Sequence, residues 1–248
     1  MFELIDSCRI CGSDSLDEVI DLGEQPLAND LRLPLEEVPC LIPLVVVRCA
    51  TCFTIQLTAT VDPAVLFSDY VWVTGTGSST REFSDVFCSE VLDRWETGQH
   101  GDRTSAGMVL EVASNDGTFL RSFQDRGWRV LGVDPAKNVV ALANSIGIPT
   151  RCDFFGVEVA KEIRCQSPAD IVVARNVIPH VEAIHEVIEG IVSVMPDDGL
   201  AAIEFHYAES ILNGLQYDSI YHEHLFYFSI ETLSSLCAQH GLVAFDVF

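Results

Sequence analysis

The chain has little positive charge. Its 248 residues include 14 lysine and arginine residues against 37 aspartate and glutamate residues, which gives a formal net charge of −23 at pH 7. Such a surface repels phosphate backbones and anionic lipid headgroups, so the charge balance argues against nucleic acid as a partner. A site for an anionic small substrate must supply its own positive charge or helix N-termini.

Long apolar runs are also missing. No stretch approaches the ~18–20 uninterrupted apolar residues of a membrane span, and the start MFELIDSCRICG has no basic region followed by a long apolar one. We therefore expect a cytoplasmic protein without a membrane partner. The length allows one large domain, or a small module followed by a domain of ordinary size.

The dinucleotide fingerprint G-x-G-x-x-G is absent. In residues 108–120, MVLEVASNDGTFL, an apolar run ends at an acid, turns through small and polar residues, and begins a helical pattern. Gly117 is the only glycine of this turn, which disfavours a nicotinamide or flavin cofactor. A strand, tight turn and helix still bring backbone N–H groups to a ligand, so the stretch predicts a cofactor site. An ordinary βα turn of another α/β protein is the alternative.

The cysteines predict a metal site. Two C-x2-C pairs, with 37 residues between them, can offer four thiolates to one tetrahedral Zn²⁺ ion, and these are Cys8, Cys11, Cys49 and Cys52. A closed four-thiolate site leaves no position for substrate, so its predicted role is structural. A redox pair is the alternative for a single C-x2-C. Cys40 is predicted to be a non-ligand.

The chain is divided by pattern into a zinc-binding module (1–60), a loop and helical linker (61–105) and an α/β domain (106–248). Strands are predicted at 44–48 and 54–57, with residues 22–43 as an irregular arm, and a helix at 80–97. Strands at 108–113, 129–134, 171–174 and 200–205 alternate with helices at 117–125, 136–146 and 181–194, which implies a parallel sheet wrapped by helices. A helix with an N-cap at Ser229 covers 229–240, and a strand begins at 242.

Polar residues follow the predicted strands, where ligands of parallel sheets bind. Glu111 ends the first strand and leads to Asn115 and Asp116; Asp134, which could accept hydrogen bonds from ribose hydroxyls, ends the second. Asp153 and Phe154 could contact an adenine ring and its amino group. Further polar residues after later strands are Arg175, Asn176, His180, Glu204 and His206. Residues 62–77, rich in aromatics, glycine and hydroxyls, could cover a cofactor or form a plain linker.

The segment DSIYHEH, residues 218–224, concentrates imidazole, phenol and carboxylate groups. If it is extended, His222 and His224 share one face and Tyr221 and Glu223 the other. An imidazole can then act as a general base at neutral pH. Metal chelation by His-x-His is an alternative, although the H-E-x-x-H spacing is absent, and a solvated loop is another.

With these residues in view, the chain resembles the zinc-containing, S-adenosylmethionine (SAM) dependent C-methyltransferases of deoxysugar biosynthesis. The resemblance rests on the two C-x2-C pairs and on EVASNDGTFL, GVDPAKNV, ARNVIPHV and YDSIYHEHLFYFS, in the order of that family. It implies a Rossmann-like class I methyltransferase sheet, structural Zn²⁺, and a nucleotide-linked keto-deoxysugar as substrate, as in antibiotic biosynthesis.

The resemblance also implies roles for particular residues. The cofactor would contact Glu111, Ala113, Asn115, Asp116, Asp134, Pro135, Asp153, Phe154 and Asn176. The reaction site would contain His224, Tyr221, Glu223, His180, Asn176 and Tyr70. His224 would remove a proton beside a ketone, and His180 or Tyr221 would stabilise the enolate oxygen.

Two departures from the family pattern bear on these expectations. Ala113 stands where the family usually has glycine, and family members continue for a further domain that would carry much of the sugar binding. We therefore expect a fragment, one half of a split protein, or a short member with another substrate, and a separate C-terminal half or a homo-oligomer as partner. A non-catalytic SAM-binding module and a methyltransferase for keto-acid or carrier-bound substrates are the alternative functions.

Overall fold

The computed structural model describes residues 1–31, 39–98 and 107–248. Of the predicted segments, the part of the arm at 32–38 and the linker at 99–105 lie outside these residues. The first elements in chain order are strands β1 (Phe2–Leu4), β2 (Leu16–Gln25), β3 (Ile42–Cys49), β4 (Ile55–Leu57) and β5 (Ala59–Val61), and helices α1 (Pro63–Phe67) and α2 (Ser78–Thr97).

The remaining elements alternate strand and helix before ending in shorter pieces. They are β6 (Met108–Val112), α3 (Thr118–Asp125), β7 (Arg129–Asp134), α4 (Lys137–Ser145), β8 (Thr150–Cys152), α5 (Val157–Gln166), β9 (Ile171–Arg175), α6 (Ile184–Val194), β10 (Leu200–Glu204), α7 (Ala208–Asn213), β11 (Phe226–Tyr227) and α8 (Ile230–Gln239). Single 3-10 turns lie at Thr74–Thr76, Ile178–His180 and Tyr217–Ser219. None of the helices in the three described ranges is long and apolar enough to cross a lipid bilayer.

The chain forms two compact units. The first contains Met1–Leu66, Ile178–His185 and Phe205–Phe248, and the second contains Phe67–Val177 and Glu186–Glu204. The domain boundaries at residues 60 and 105 stay a prediction from the sequence.

The second unit is built on a five-stranded parallel sheet with the order β10-β9-β6-β7-β8. Its strands are short apolar runs because both faces are covered; Met108–Val112 is buried throughout. The strand order reverses between β6 and β9, so the carboxyl ends of these two strands flank the crevice in which such sheets bind ligands. The predicted parallel sheet is confirmed, with boundaries within a few residues.

The core of the second unit lies on one face of this sheet. Helices α2 and α3 bring aromatic side chains together there, with Phe87 and Phe119 in an edge-on contact at 5.7 Å between ring centroids. Phe123 and Leu120 are fully buried in the same cluster. Burial of apolar surface stabilises a fold by roughly 25 cal/mol per Å². Burial of this cluster therefore holds α3 against the sheet, and the first turn of α3 directly follows the turn after β6.

The first unit contains a four-stranded antiparallel sheet, β11-β4-β3-β2, and a two-stranded sheet of β1 and β5. The prediction that residues 22–43 are an irregular arm is wrong for its beginning, because β2 continues to Gln25 as it pairs with β3. β2 is mostly exposed, so its sequence lacks the alternation of a half-buried strand. Long-range pairing with the apolar β3 decides its conformation.

The end of the chain also differs from expectation. Helix α8 begins after Ser229, whose hydroxyl accepts the Thr232 N–H in a capping box, as the predicted N-cap requires. Residues 242–248, predicted to begin a strand, have no regular structure. A strand needs a hydrogen-bonded neighbour, and none of the described strands pairs with this segment.

Candidate functional site

The four cysteines of the two C-x2-C pairs come together in the first unit. Their sulfur atoms all lie within 4.8 Å of one another, with Cys8 and Cys52 at 3.5 Å and Cys11 and Cys49 at 3.6 Å. Four thiolates about 2.3 Å from one Zn²⁺ ion would stand about 3.8 Å apart, so the cluster fits a tetrahedral zinc site. Cys40 is not part of it, as expected.

Hydrogen bonds around the cluster favour thiolates at its centre. The Gln56 amide donates to the Cys8 sulfur at 3.1 Å, and the Thr51 N–H donates to the Cys49 sulfur at 3.4 Å. Burial raises the pKa of Cys49, but the N–H groups of Cys52 and Thr51 and the thiols of Cys11 and Cys52 outweigh it and bring that pKa to about 6. Burial raises the pKa of Cys11 to about 12 and raises that of Cys52, so without metal the first thiolate of the cluster forms at Cys49. The metal site therefore has a polar outer layer that holds its ligands in place.

The loop between the first two cysteines also holds the segment that carries His180. The Ile10 carbonyl accepts a hydrogen bond from Nε2 of His185 at 2.8 Å, and Nδ1 of His185 contacts Nε2 of His240 at 2.8 Å. A carbonyl can only accept, so Nε2 of His185 carries the proton. The zinc loop thus fixes Ile178–His185 within the first unit.

The turn after β6 is held in left-handed backbone conformations. Ala113 has φ +55°, Asn115 has φ +52° and Gly117 has φ +77°. The glycine is required, because a Cβ there would stand 2.8 Å from the Ile148 side chain. Ala113 adopts a left-handed conformation that costs alanine roughly 1–2 kcal/mol and costs glycine little.

Two buried acids lie at the carboxyl ends of β6 and β7. Glu111 is 3% exposed, and its Oε2 has no hydrogen-bond partner among the residues that the structure describes. Burial raises the pKa of Glu111 to about 8. The nearby charge of Arg175 lowers this pKa and that of Asp134 raises it. The two oxygens of Asp134 accept the N–H groups of Asn115 and Ala136, both at 2.8 Å, while burial raises its pKa. Each carboxylate oxygen keeps a second lone pair for a ligand hydroxyl.

Asn115 and Asp116, predicted to contact a cofactor, have their side chains engaged with the chain itself. Asn115 Oδ1 accepts the Thr74 N–H and its Nδ2 donates to the Trp72 carbonyl, both at 3.0 Å. Asp116 accepts the Gly75 N–H at 2.9 Å and the Thr118 hydroxyl at 2.8 Å. Residues 72–75 therefore lie directly on the turn.

The other predicted cofactor residues lie along the same edge. The Asp153 N–H donates to the Asp134 carbonyl at 3.1 Å, while its carboxylate pairs with Arg151 at 2.7 Å. Phe154 is 46% exposed and can offer a ring face to a ligand. Pro135 directly follows β7, and its carbonyl accepts from the Cys152 thiol at 3.6 Å.

Asn176 marks the end of β9. Its backbone has φ +49° and its Nδ2 donates to Oε1 of Glu204, the last residue of β10, at 2.8 Å. Glu204 also pairs with Arg175 at 2.8 Å, and the Arg175 guanidinium lies over the Phe119 ring. This anchors the side chain of Asn176 at the switch point of the sheet.

The imidazole cluster lies in the first unit. His224 is bordered by His180 and His206, with ring centroids 4.8 and 5.1 Å away. Nδ1 of His224 donates to the Ser219 carbonyl at 2.8 Å, so in the neutral ring Nε2 is unprotonated and accepts from the Tyr221 hydroxyl at 3.0 Å. The structure thereby fixes which nitrogen of His224 can act as a base.

Burial keeps His224 and His180 uncharged. Burial lowers the pKa of His224 to about 4. The hydrogen bond to the Ser219 carbonyl raises this pKa, and the neighbouring His206 lowers it further. Burial lowers the pKa of His180 to about 3, with His224 and His206 adding to the effect. The pKa of Tyr221 is raised to about 12 by burial and by Glu223. At pH 7 the imidazoles of His224 and His180 and the phenol of Tyr221 are therefore neutral.

The segment 221–224 is not extended, so the condition under which His222 and His224 would share one face is not met. The His224 N–H donates to the Tyr221 carbonyl at 3.0 Å, so the chain turns here and brings Tyr221 and His224 together. His222 points elsewhere, with Nε2 donating to the Ile42 carbonyl at 3.1 Å. The two histidines bind different carbonyls, and within the described residues only the cysteines form a group able to hold a metal.

Two residues of this site had no predicted role. His206 was placed at a strand end by the pattern but given no function. Asn29 donates from Nδ2 to Oε1 of the buried Glu223 at 2.7 Å. Asn29 lies between the two cysteine pairs, where periodicity gives no signal, so only the fold could bring it to Glu223.

Comparison with known proteins agrees with this geometry. The fold is that of class I SAM-dependent methyltransferases, preceded by a zinc-binding module. Residues 81–246 match the family described as "Methyltransferase domain", and residues 8–67 match the one described as "Putative zinc binding domain". Since the first match covers more than half of the chain, this protein belongs to the methyltransferase domain family.

A curated relative and two solved structures are similar to the chain. C-methyltransferase NovU of Streptomyces niveus is 35% identical over 246 residues, which is 98% of this chain and 57% of the relative. The chain thus spans little more than half the length of that protein. A SAM-dependent methyltransferase from Archaeoglobus fulgidus has a TM-score of 0.53 at 18% identity, covering 65% of this chain and 68% of its own. The plantazolicin methyltransferase BamL, solved with SAH, has a TM-score of 0.52 at 13% identity, covering 66% and 63%. These two establish the fold alone.

Proposed function

We propose that the protein is a SAM-dependent C-methyltransferase that methylates a carbon beside the ketone of a nucleotide-linked deoxysugar. The observation that carries the proposal is the Tyr221–His224 pair, a phenol hydrogen-bonded to the unprotonated Nε2 of a buried imidazole. This pair offers a base and a hydrogen-bond donor side by side, which is what formation of an enolate requires. The relative's name, C-methyltransferase, supports transfer to carbon.

The residues at the sheet edge suit SAM. Asp134 keeps lone pairs for ribose hydroxyls, Glu111 offers a carboxyl oxygen without a partner, and Asp153 and Phe154 adjoin them for the adenine. SAM, when bound, supplies an electrophilic methyl group on sulfur. All of these residues belong to the second unit, whereas the base belongs to the first. We assign no acid–base role to the sheet edge.

The chemistry of the pair follows from its hydrogen bonds. The Tyr221 hydroxyl can leave Nε2 of His224 and donate to the ketone oxygen of the substrate. Nε2 is then free to take the proton from the adjacent carbon, and the C–H electron pair becomes the enolate. Bound SAM would supply the methyl group to that carbon, with the electron pair of the broken S–CH3 bond staying on sulfur and the abstracted proton staying on Nε2. A pKa of about 4 makes isolated His224 a weak base, but negative charge developing on the enolate favours the imidazolium. We assign His180 and Glu223, which lie in the same unit as the pair, to the same reaction site.

Deuterium exchange separates these steps. The protein is incubated in D2O with a dTDP-linked keto-deoxysugar, with and without SAM, and exchange and methylation are followed by NMR and mass spectrometry. We expect exchange beside the ketone without SAM and a new carbon-bound methyl group with it. Tyr221→Phe should slow exchange about 100-fold while SAM affinity by calorimetry is unchanged.

The alternatives give other results. SAM binding without turnover or exchange would favour a non-catalytic module or one that needs a second chain. The second reading is motivated by the curated relative, of which this chain covers 57%. Turnover of keto-acid or carrier-bound ketones alone would favour the other substrate class. Absence of SAM binding in calorimetry would overturn the proposal.

A further inference from the structure

Residues 68–76, called the strap here, are attached along the carboxyl edge of the second unit by side chains rather than by a strand. At one end, the Ser68 carbonyl accepts the Lys137 N–H at 3.1 Å, at the start of α4. At the other end, the strap lies on the turn after β6. It therefore crosses the ends of β6 and β7, the edge where a sheet of this topology binds its ligand.

Asn138 holds the middle of the strap by both atoms of its amide. Its Oδ1 accepts the Tyr70 N–H at 3.1 Å, and its Nδ2 donates to the Tyr70 carbonyl at 2.7 Å. A side-chain amide that binds the N–H and the carbonyl of the same residue fixes the backbone of that residue from two directions. The backbone of Tyr70 is thus set by a side chain of α4.

Asn115 and Asp116 repeat this attachment further along the strap. The Asn115 amide binds the Trp72 carbonyl and the Thr74 N–H, and the Asp116 carboxylate accepts the Gly75 N–H. The approach at Gly75 is so close that a Cβ there would stand 2.4 Å from the Thr118 hydroxyl and 2.7 Å from Asp116. A Cβ at this position therefore requires the Thr118 hydroxyl and the Asp116 carboxylate to move, which disturbs the Asp116–Gly75 hydrogen bond.

We infer that Asn138 is a positioning residue, which holds the strap as a cover over the cofactor edge and thereby places Tyr70. Asn115 and Asp116 act in the same way at the far end of the strap, through contacts with the strap rather than with the ligand. The strap must release its side-chain hydrogen bonds for a ligand to enter or leave beneath it. This inference rests on the proposed function for the identity of the ligand.

Asn144 provides a matched control on the same helix. Its amide also binds the N–H and the carbonyl of a single residue, Thr150, at 3.1 and 2.9 Å, but this residue begins the structural strand β8. Asn138→Ala and Asn144→Ala therefore remove the same kind of double hydrogen bond from one helix. Only the first touches the strap.

Hydrogen exchange tests the attachment without any ligand. Asn138→Ala should speed exchange of amides in residues 68–76 about tenfold, the effect of losing two hydrogen bonds, which corresponds to about 1.4 kcal/mol. Asn144→Ala should speed exchange near Thr150 and leave the strap unchanged. Asn138→Asp keeps the acceptor for the Tyr70 N–H and should fall between wild type and alanine. Equal strap exchange in wild type and Asn138→Ala would overturn the inference.

Release of SAH, measured by stopped-flow displacement, tests the cover. We expect release about tenfold faster from Asn138→Ala and from Gly75→Ala, and the wild-type rate from Asn144→Ala. Unchanged release from both strap variants, with SAH still bound by wild type, would overturn the inference and leave the proposed function standing. Failure of wild type to bind SAH would overturn both, and is seen before any variant is measured.

Discussion

Replacing the buried acid at the end of β6 should stabilise the protein, and more so at higher pH. Glu111 is 3% exposed and its pKa is raised from 4.5 to about 8, first of all by burial. Between these values the folded state holds a proton that the unfolded state has lost, so the contribution of Glu111 to stability falls as pH rises from 4.5 to 8. Glutamine has nearly the shape of glutamate but does not titrate, so Glu111→Gln removes this dependence of stability on pH.

The shift sets the size of the effect. The difference in free energy of unfolding between Glu111→Gln and wild type should grow with pH between pH 4.5 and 8, by at most about 1.4 kcal/mol per pH unit, and then level off. The full shift gives an upper limit of about 5 kcal/mol. Local rearrangement and entry of water relieve part of the cost of burying a charge, so we expect about 2 to 3 kcal/mol at pH 8.

Urea unfolding followed by circular dichroism at pH 5, 6, 7 and 8 measures this difference. Glu158→Gln is the surface control: Glu158 is 81% exposed and forms an ion pair with the exposed Lys161, so its replacement should change stability by less than about 0.5 kcal/mol. A Glu111→Gln difference that is constant across the four pH values would refute the reasoning, since it would mean that burial does not hold the proton on Glu111.

Three further predictions concern the turn, the metal and the imidazoles. Ala113→Gly should raise stability by about 1 kcal/mol in thermal unfolding, because glycine accepts the φ of +55° at this position; a lower melting temperature would contradict this. Chelation of zinc should release one metal per chain, by atomic absorption, and unfold the first unit, with loss of the near-UV signal; retained structure after complete zinc loss would refute a structural role. Because the pKa values of His180 and His224 are lowered to about 3 and 4, their contribution to stability is complete above pH 6.5 and is lost as pH falls towards 4. His224→Gln should reduce that loss, and an unchanged acid limb of the stability curve would contradict it.

The pattern of the sequence was most informative where the physical constraint is local. The four cysteines follow from spacing, because each pair lies in one short loop and the metal supplies the long-range link. The strands β6, β7, β9 and β10 follow from short apolar runs that only a sheet covered on both faces explains. β2 did not follow, because an exposed strand is formed by its neighbour and not by its own alternation.

The candidate site depended much more on the tertiary structure. The side chains of residues 218–224 could be named from the sequence, but a turn rather than an extended strand decides that Tyr221 meets His224 and that His222 does not. The reason is one hydrogen bond, from the His224 N–H to the Tyr221 carbonyl. It closes a turn that brings Tyr221 and His224 to the same side, whereas an extended strand would place them on opposite faces. His206 and Asn29 join this site through contacts that sequence separation conceals.

The sequence by itself determined the zinc ligands, the class of fold and the edge of the sheet at which a ligand binds, because these depend on spacing, apolar periodicity and the handedness of strand–helix–strand units. Only the tertiary structure decided the roles of individual polar groups there. Asn115 and Asp116 are directed to the strap, Asn138 holds Tyr70, and Glu111 is buried without a partner for one oxygen. Hydrogen bonds between residues distant in sequence, and the burial that the whole fold imposes, set the chemistry of each side chain.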